Sequence, residues 1–387
     1  MKLLVLGGTG ILSTAVVNEA LNLGFEVTMI NRGNNRNLIN PLAKLIKGDI
    51  RNNPEGIRDS LLGERFDAVI DFLIWNIEQL KLSLSLFSDI ASQYIFISSA
   101  QAYNTSINGL LTEESELVQP LWKYSVNKVK SEQYLMNFCK EKPLKYTIIR
   151  PGVTYGDTRI PYGMYPKMGM HWTIVERIKA GKPIVTWNNG NNRLNLTRSE
   201  DFAKGAVGLV GNSLAFNQIF NVVGDNIYSW KEVLLTLGRI INKEVIMLDV
   251  PVDFYAKYLY GDKKEMLIGG RATDLICSNM KLKQAVPSFK TNYSLEEGLQ
   301  KTIEAYKYNN YFKGIDYEYD ALLDRITHDY IKLKPQNMSI NIGFIPYMNT
   351  NLKERIISAK QYYFTYYKTS LTLRSAKHKV KDLLKSK

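Results

Sequence analysis

Cysteine and histidine are scarce in this sequence, and their scarcity removes whole classes of function. Cys139 and Cys277 are the only cysteines among 387 residues, and His171, His328 and His378 the only histidines. Two cysteines cannot build a disulfide framework, and so few scattered soft ligands argue against a metal site of the zinc type. No apolar run approaches the roughly 18 residues of a membrane span, in keeping with a mean hydropathy of -0.20. Internal repeats and low-complexity stretches are also missing. Residue 3 already reads as strand, so no room is expected for a signal peptide before the fold. A cytoplasmic protein is expected.

Positive charge is plentiful, with a formal net of +13, but it is unevenly placed. Residues 331–387 hold twelve Lys/Arg against two Asp/Glu, which leaves only about +3 for everything before them. The basicity belongs to a tail and not to a nucleic-acid-binding fold, and nucleic acid is not the expected partner.

Up to residue 150, short β-rich runs alternate with longer helical patterns. "KLLVLG", "FEVTMIN", "LIKGDI", "FDAVIDFLI", "QYIFISSA" and "KYTIIRPG" are the strand candidates, with amphipathic stretches such as Thr14–Leu23 and "LKLSLSLFSDIA" between them. This spacing predicts a parallel sheet covered on both faces. Later, "FNQIFNVVG" reads as strand and "WKEVLLTLGRII" as helix, whereas residues 156–171 are rich in Gly, Pro and Met and read as a loop.

Gly7 and Gly10 follow the first strand and precede a helix, the context of a dinucleotide-binding turn. Without Cβ atoms the backbone can approach a pyrophosphate, and the unpaired N–H groups of the helix start then hold the anion. Ser13 stands where a third glycine is usual, as the next smallest residue that keeps a helix start. A glycine turn after a strand also arises for purely structural reasons. At the end of the second strand Asn31-Arg32-Gly33 replaces the usual acidic residue, which favours NADP over NAD unless Arg32 simply faces solvent.

"YSVNK" sets Tyr124 and Lys128 four residues apart, on one face of a helix. A phenol ordinarily titrates near pKa 10, so a Tyr acting as base near neutrality needs its pKa lowered by roughly 3, or about 4 kcal/mol. A neighbouring ammonium acts in that direction by favouring the phenolate. The spacing recurs at Tyr260/Lys264 and Tyr330/Lys334, but only the first pair lies between "YIFISSA" and "YTIIRPG".

Taken in order, GGTGILS, NRG, GDIRN, YIFISSAQAY, YSVNK and RPGVTYGD resemble an extended short-chain dehydrogenase/reductase of the NAD-dependent epimerase/dehydratase family. The GGTG-x-IS turn with NRG is similar to a bacterial branch related to chloroplast stem-loop-binding proteins, in which Ser at the third glycine position is ordinary. "LTRSEDFAKG", "FNVVGDNIYSWKEV" and "SLEEGLQKTIEAY" extend the resemblance to about residue 330. It implies a Rossmann-type doubly wound parallel sheet with a smaller C-terminal substrate domain, followed by a basic helical tail. Residues 1–170 are expected to form the dinucleotide-binding domain with later segments returning to it, 171–330 the substrate-binding region, and 331–387 the extension.

The resemblance implies roles at matching positions. Tyr124 would be general acid/base and Lys128 would hold the nicotinamide ribose, while Ser99 would hydrogen-bond the substrate oxygen. Gly7, Thr9, Gly10, Ile11 and Leu12 would cradle the cofactor, NADP or NAD. Asn31 and Arg32 would meet its adenosine ribose, Asp49 and Ile50 its adenine, and Phe72 and Leu73 would form a wall. Ser98, Pro151 and Val153 would flank the nicotinamide. Gln101 and Arg193 join Ser99 and Tyr124 as substrate candidates, Arg193 toward a diphosphate, and no metal is implied. The sequence also departs from the family pattern. Ala100 and Gln101 stand where sugar 4,6-dehydratases carry an Asp-Glu pair, which disfavours β-elimination. "DFLIW" replaces a small "HxAA" segment, and Asn104 follows Tyr103 where glycine is usual.

The expected substrate is a sugar, nucleotide-linked, handled at a carbinol carbon by an epimerase or an NADPH-dependent reductase. A non-catalytic RNA- or partner-binding member of the same fold is the alternative from another class. Arg159, Tyr162 and Tyr165 lie in the 156–171 loop, which either closes over substrate or is a packed surface loop. In the tail, Leu352, Ile356, Ala359, Tyr363, Tyr366, Leu373, Val380 and Leu383 recur at mostly helical steps. Such a helix packs on its own domain or a second subunit of a homodimer, or else lies on an anionic membrane surface or pathway partner.

Overall fold

A computed structural model describes residues 1–107, 109–117, 122–309 and 314–333. The tail beyond Leu333, with its expected helix and partners, lies outside the described residues. The chain divides into two compact units, one of residues 1–155, 194–227 and 275–293, the other of 156–193, 228–274 and 294 onward.

In the first unit the apolar runs become strands and the stretches between them helices. In chain order these are β1 (Lys2–Leu6), α1 (Ile11–Asn22), β2 (Glu26–Asn31), β3 (Lys44–Lys47), α2 (Pro54–Asp59) and β4 (Phe66–Asp71). Then follow α3 (Ile77–Phe87), β5 (Ala91–Ile97), α4 (Lys123–Cys139), β6 (Lys145–Pro151) and β7 (Val153–Tyr155). The strand Gln218–Val222 pairs parallel with β6 and completes a seven-stranded parallel sheet, continuing β6-β5-β4-β1-β2-β3. This is the doubly wound Rossmann arrangement. The winding reverses between β1 and β4, and that reversal opens a crevice at the carboxyl ends of the strands.

Residues alternate between the two faces of the sheet. Leu3, Val5, Met29, Ile70 and Ile95 pack with Val16, Val17 and Ala20 of α1 and with Phe202 and Ala206 of the helix Ser199–Gly208. Leu4, Leu6, Ile30, Val69 and Phe96 pack on the other face with Leu80 and Leu84 of α3 and Leu135 of α4. Each fully buried Val, Leu, Ile, Met or Phe side chain among them contributes about 1.5–3 kcal/mol. Two separate cores therefore clamp the strands, and their carboxyl ends are held in fixed register.

The second unit is built on the helices Trp172–Lys179, Trp230–Ile240, Leu295–Tyr308 and Tyr317–Leu333, with a parallel pair of short strands, Ile184–Thr186 and Met247–Asp249. Its interior holds a cluster of paired charges. Arg177 donates to Asp324 Oδ1 at 2.9 Å and to Asp320, and Lys182 Nζ reaches Asp320 and Asp324 at 2.7 Å each. Mutual pairing is what makes this burial tolerable, because an isolated charge there would cost several kcal/mol. The loop 156–171 contributes Tyr162 to an aromatic cluster with Trp187 and Trp230. His171 stacks on Tyr165 within the same loop.

Candidate active site

The turn after β1 is the first part of the site. Gly7 has φ +113° and Gly8 φ +81°, a region L side chains rarely adopt. A Cβ on Gly7 would stand at ordinary contact distance, 3.4 Å from Leu73 Cδ2 and 3.6 Å from Phe72 Cβ, so the positive φ and not crowding calls for glycine. Gly10 caps α1, and the Ser13 hydroxyl accepts from Gly10 N–H at 2.8 Å while Thr14 N–H closes on Gly10 C=O at 2.9 Å. Ser13 is therefore more than a small residue that lets helix and strand approach. Its side chain fixes the first turn of the helix.

A cleft of about 440 Å³ opens on this turn. Gly7, Thr9, Gly10, Asn31, Arg32, Asp49, Ile50, Phe72 and Leu73 all line it, together with Asp71, Ile74 and Trp75. Asn31 Oδ1 accepts from Gly33 N–H at 2.8 Å, whereas its buried Nδ2 has no hydrogen-bond partner among the described residues. A glycine turn of positive φ opening on the cleft and an unused buried donor at the second strand end both fit a dinucleotide. No carboxylate lies in the lining segment Asn31–Asn35. Ile11 and Leu12 sit in the first turn of α1 but are not among the lining residues.

The second part of the site is carried by α4. Tyr124 and Lys128 share a face, with Lys128 Nζ 5.7 Å from the centroid of the half-buried Tyr124 ring. The ammonium donates to Ile74 C=O at 2.6 Å and to Ile97 C=O at 2.8 Å, which ties α4 to the ends of β4 and β5. Burial lowers the Lys128 pKa to about 8, against the opposing pull of Asp71 and Glu132. Ser99 follows β5, and its Oγ accepts from Gln101 N–H at 3.2 Å. Both amide atoms of the buried Gln101 lack a hydrogen-bond partner among the described residues. Pro151 and Val153 sit where β6 passes into β7 and do not line the cleft. Arg193 belongs to the second unit and pairs with Asp274 at 3.3 Å.

Three buried charged positions beside the site escaped the sequence reading. Asp71, buried at the end of β4, accepts from Ser83 Oγ at 2.6 Å, Tyr94 OH at 2.7 Å and Leu73 N–H at 2.7 Å. Burial raises its pKa, and those hydrogen bonds oppose the rise. Glu132 on α4 accepts from Ser98 Oγ and from Arg150 Nε at 3.0 Å and Nη2 at 2.5 Å. Its spacing of four from Lys128 and eight from Tyr124 was a usable signal. Arg150 in turn lies over the Tyr103 ring at 4.6 Å. Neither cysteine is a nucleophile candidate, since burial raises Cys139 to about 11 and Cys277 to about 12. Among the described residues no cluster of His, Cys, Asp or Glu could hold a metal, and no helix is long and apolar enough to cross a membrane.

The sheet, its switch-point cleft and the glycine turn define a Rossmann-type dinucleotide-binding fold. A family model described as "NAD dependent epimerase/dehydratase family" matches residues 3–222, and the chain belongs to that family. It is 27% identical over 241 residues to chloroplast stem-loop binding protein of 41 kDa b from Arabidopsis thaliana, a match covering 58% of this chain and 59% of that one. The chain thus spans about three fifths of that relative's length. UDP-glucose 4-epimerase from Thermotoga maritima, solved with UDP-glucose, shares the fold with a TM-score of 0.63 at 20% identity, over 80% of this chain and 100% of the other. UDP-glucuronic acid 4-epimerase from Bacillus cereus, solved with UDP-glucuronic acid and NAD, superposes with a TM-score of 0.64 at 20% identity and the same coverage.

The Lys128 environment predicts an alkaline limit. Turnover that needs the ammonium should fall on a limb centred near pH 8, and Lys128→Arg should move that limb upward, as read from kcat against pH. The sign for stability is opposite. The folded pKa of about 8 lies below the ordinary 10.5, so between these values the unfolded chain binds more protons and this group makes stability rise with pH.

Proposed function

We propose that this chain is a nicotinamide-dependent enzyme that oxidises and re-reduces one carbinol carbon of a nucleotide-linked sugar, as an epimerase does. One observation carries the reading: the glycine cleft and the Tyr124–Lys128 pair meet at one backbone segment. Ile74 lines the cleft, and its carbonyl accepts from Lys128 Nζ at 2.6 Å. The family, and the UDP-sugars with which the two similar epimerases were solved, support the substrate class.

In this reading Gly7, Thr9 and Gly10 let the backbone come close to the pyrophosphate, and the N–H groups of the first turn of α1 hold it. Asn31 Nδ2 and Arg32 face the adenosine ribose, and Asp49 and Ile50 the adenine. Ser98, Pro151 and Val153 belong to the nicotinamide side. When bound, the nicotinamide supplies the redox partner for the sugar carbon. Tyr124 takes the hydroxyl proton as the carbon is oxidised and returns it on reduction. Lys128 keeps positive charge beside the phenol, which favours the phenolate. Ser99 donates a hydrogen bond to the reacting oxygen, and the unpartnered amide of Gln101 orients the sugar. Ala100 and Gln101 offer no acid–base pair for loss of water, so elimination is not part of the proposal.

Arg32 in a cleft segment without a carboxylate favours a second reading, an NADPH-dependent keto-sugar reductase. Equilibrium dialysis with NAD, NADP and NADPH tests both. We expect saturable binding, and Arg32→Ala should weaken NADP about tenfold more than NAD. Tightly held oxidised cofactor with conversion of UDP-glucose and no added reductant supports the epimerase. Stoichiometric consumption of NADPH supports the reductase. Absence of dinucleotide binding overturns both and leaves the RNA-binding reading that the chloroplast relative's name suggests, whose signature is salt-dependent RNA affinity.

A further inference from the structure

Trp75 follows Ile74 in the segment between β4 and α3, where the sequence reads "DFLIW". It lines the cleft that opens on Gly7 and Gly10. Its ring also meets Tyr124, with centroids 5.7 Å apart and planes at 61°, the edge geometry that aromatic pairs favour. Trp122 holds Tyr124 as well, at 4.9 Å. One side chain therefore touches both the cleft and the proposed general acid/base.

The backbone beneath it is pinned. Leu73 N–H donates to Asp71 at 2.7 Å, Leu73 C=O accepts from Arg51 at 3.1 Å, Ile74 C=O accepts from Lys128 at 2.6 Å, and Trp75 N–H donates to Gln79 at 2.8 Å. Sliding the segment would break several of these bonds at once, so the indole moves mainly through its own side-chain torsions. Its exposure is also out of line with the other tryptophans. Trp75 is 58% exposed, whereas Trp122, Trp172, Trp187 and Trp230 are at most 5% exposed. A dinucleotide brings flat heteroaromatic rings into the cleft, and these suit an uncovered indole.

We propose that Trp75 is a positioning residue that couples occupancy of the cleft to the setting of the Tyr124 ring, and that a bound dinucleotide covers its indole. The inference rests on the cofactor reading above. Because Trp75 is the one exposed tryptophan, iodide quenching of tryptophan emission reads it in the wild-type protein. Saturating NAD or NADP, both in the oxidised form, should at least halve the quenching constant, with saturation established separately by equilibrium dialysis. If the dinucleotide is bound by dialysis and quenching is unchanged, the Trp75 assignment falls and the cofactor reading stands. If dialysis shows no binding, both fall.

Coupling to Tyr124 is read from a double-mutant cycle on dinucleotide affinity, using Trp75→Ala, Tyr124→Ala and the double variant. We expect the two effects to be non-additive by about threefold or more, since residues in contact share their interaction energy. Trp75→Phe, which keeps a ring against Tyr124, should restore most of the affinity lost in Trp75→Ala. Additive single effects, or a Phe variant as weak as the Ala variant, would overturn the coupling.

Discussion

Replacing Tyr124 by Phe is expected to lower kcat by about 10²- to 10⁴-fold while dinucleotide affinity stays within about threefold, the signature of a lost proton-transfer group. The substitution is isolated by its surroundings. Phe keeps the ring against Trp75 and Trp122, and the position is half-buried in the first turn of α4, so the fold has little reason to respond. Lys128 stays anchored, because its hydrogen bonds run to Ile74 and Ile97 and not to the phenol. Only the hydroxyl leaves. Equal kcat in Tyr124→Phe would remove Tyr124 from the chemistry without touching the cleft, and a parallel loss of dinucleotide binding would mean that the ring's placement had changed. Steady-state kinetics on a UDP-sugar, paired with dialysis, separates the two.

The strands of the parallel sheet were legible because burial on both faces leaves a continuous apolar run, as in "KLLVL" and "FDAVID". The helices between them showed in amphipathic spacing, and the glycine turn showed because few other contexts put glycines directly between strand and helix. What remained hidden depends on partners distant in sequence. "FNQIFNVVG" reads as a strand, but nothing local says that Gln218 will pair with Thr147 at the sheet edge. Asp71 looks like a lone charge at the end of an apolar run, and its role as a hydrogen-bond hub exists only once Ser83 and Tyr94 converge on it. Ser13 looked like a tolerated substitution, and its capping hydroxyl is evident only from the helix start it holds. Glu132 is the one missed residue with a local signal. It continues the Tyr124–Lys128 face by one more turn, but on sequence alone a glutamate at that spacing reads equally well as solvent-facing.

Glu132 also carries the second large expected effect, on stability. Its side chain is fully buried and ion-paired to Arg150, whose side chain is 2% exposed. Removing one partner of such a pair leaves the other charge buried and unpaired, at a cost of about 3–5 kcal/mol. Glu132→Gln is the sharper test, since it preserves volume and leaves an oxygen that Ser98 and Arg150 can still donate to. It removes the charge that balances Arg150 and puts an amide N–H donor where Arg150 Nη2 had an acceptor. The expected result is a loss of about 3 kcal/mol or more in urea unfolding, with Arg150→Met behaving similarly. The Glu132→Met/Arg150→Met double variant should be less destabilised than the sum of the single changes, because no uncompensated charge then remains. A loss below about 1 kcal/mol in Glu132→Gln would mean that the carboxylate is not the group that makes Arg150 tolerable in the core. Because Ser98 loses its acceptor at the end of β5, one residue before Ser99, the Met variant should also lose turnover beyond its loss of folded protein. A Glu132→Met enzyme with wild-type kcat per folded molecule would confine this network to holding α4 against β5 and β6.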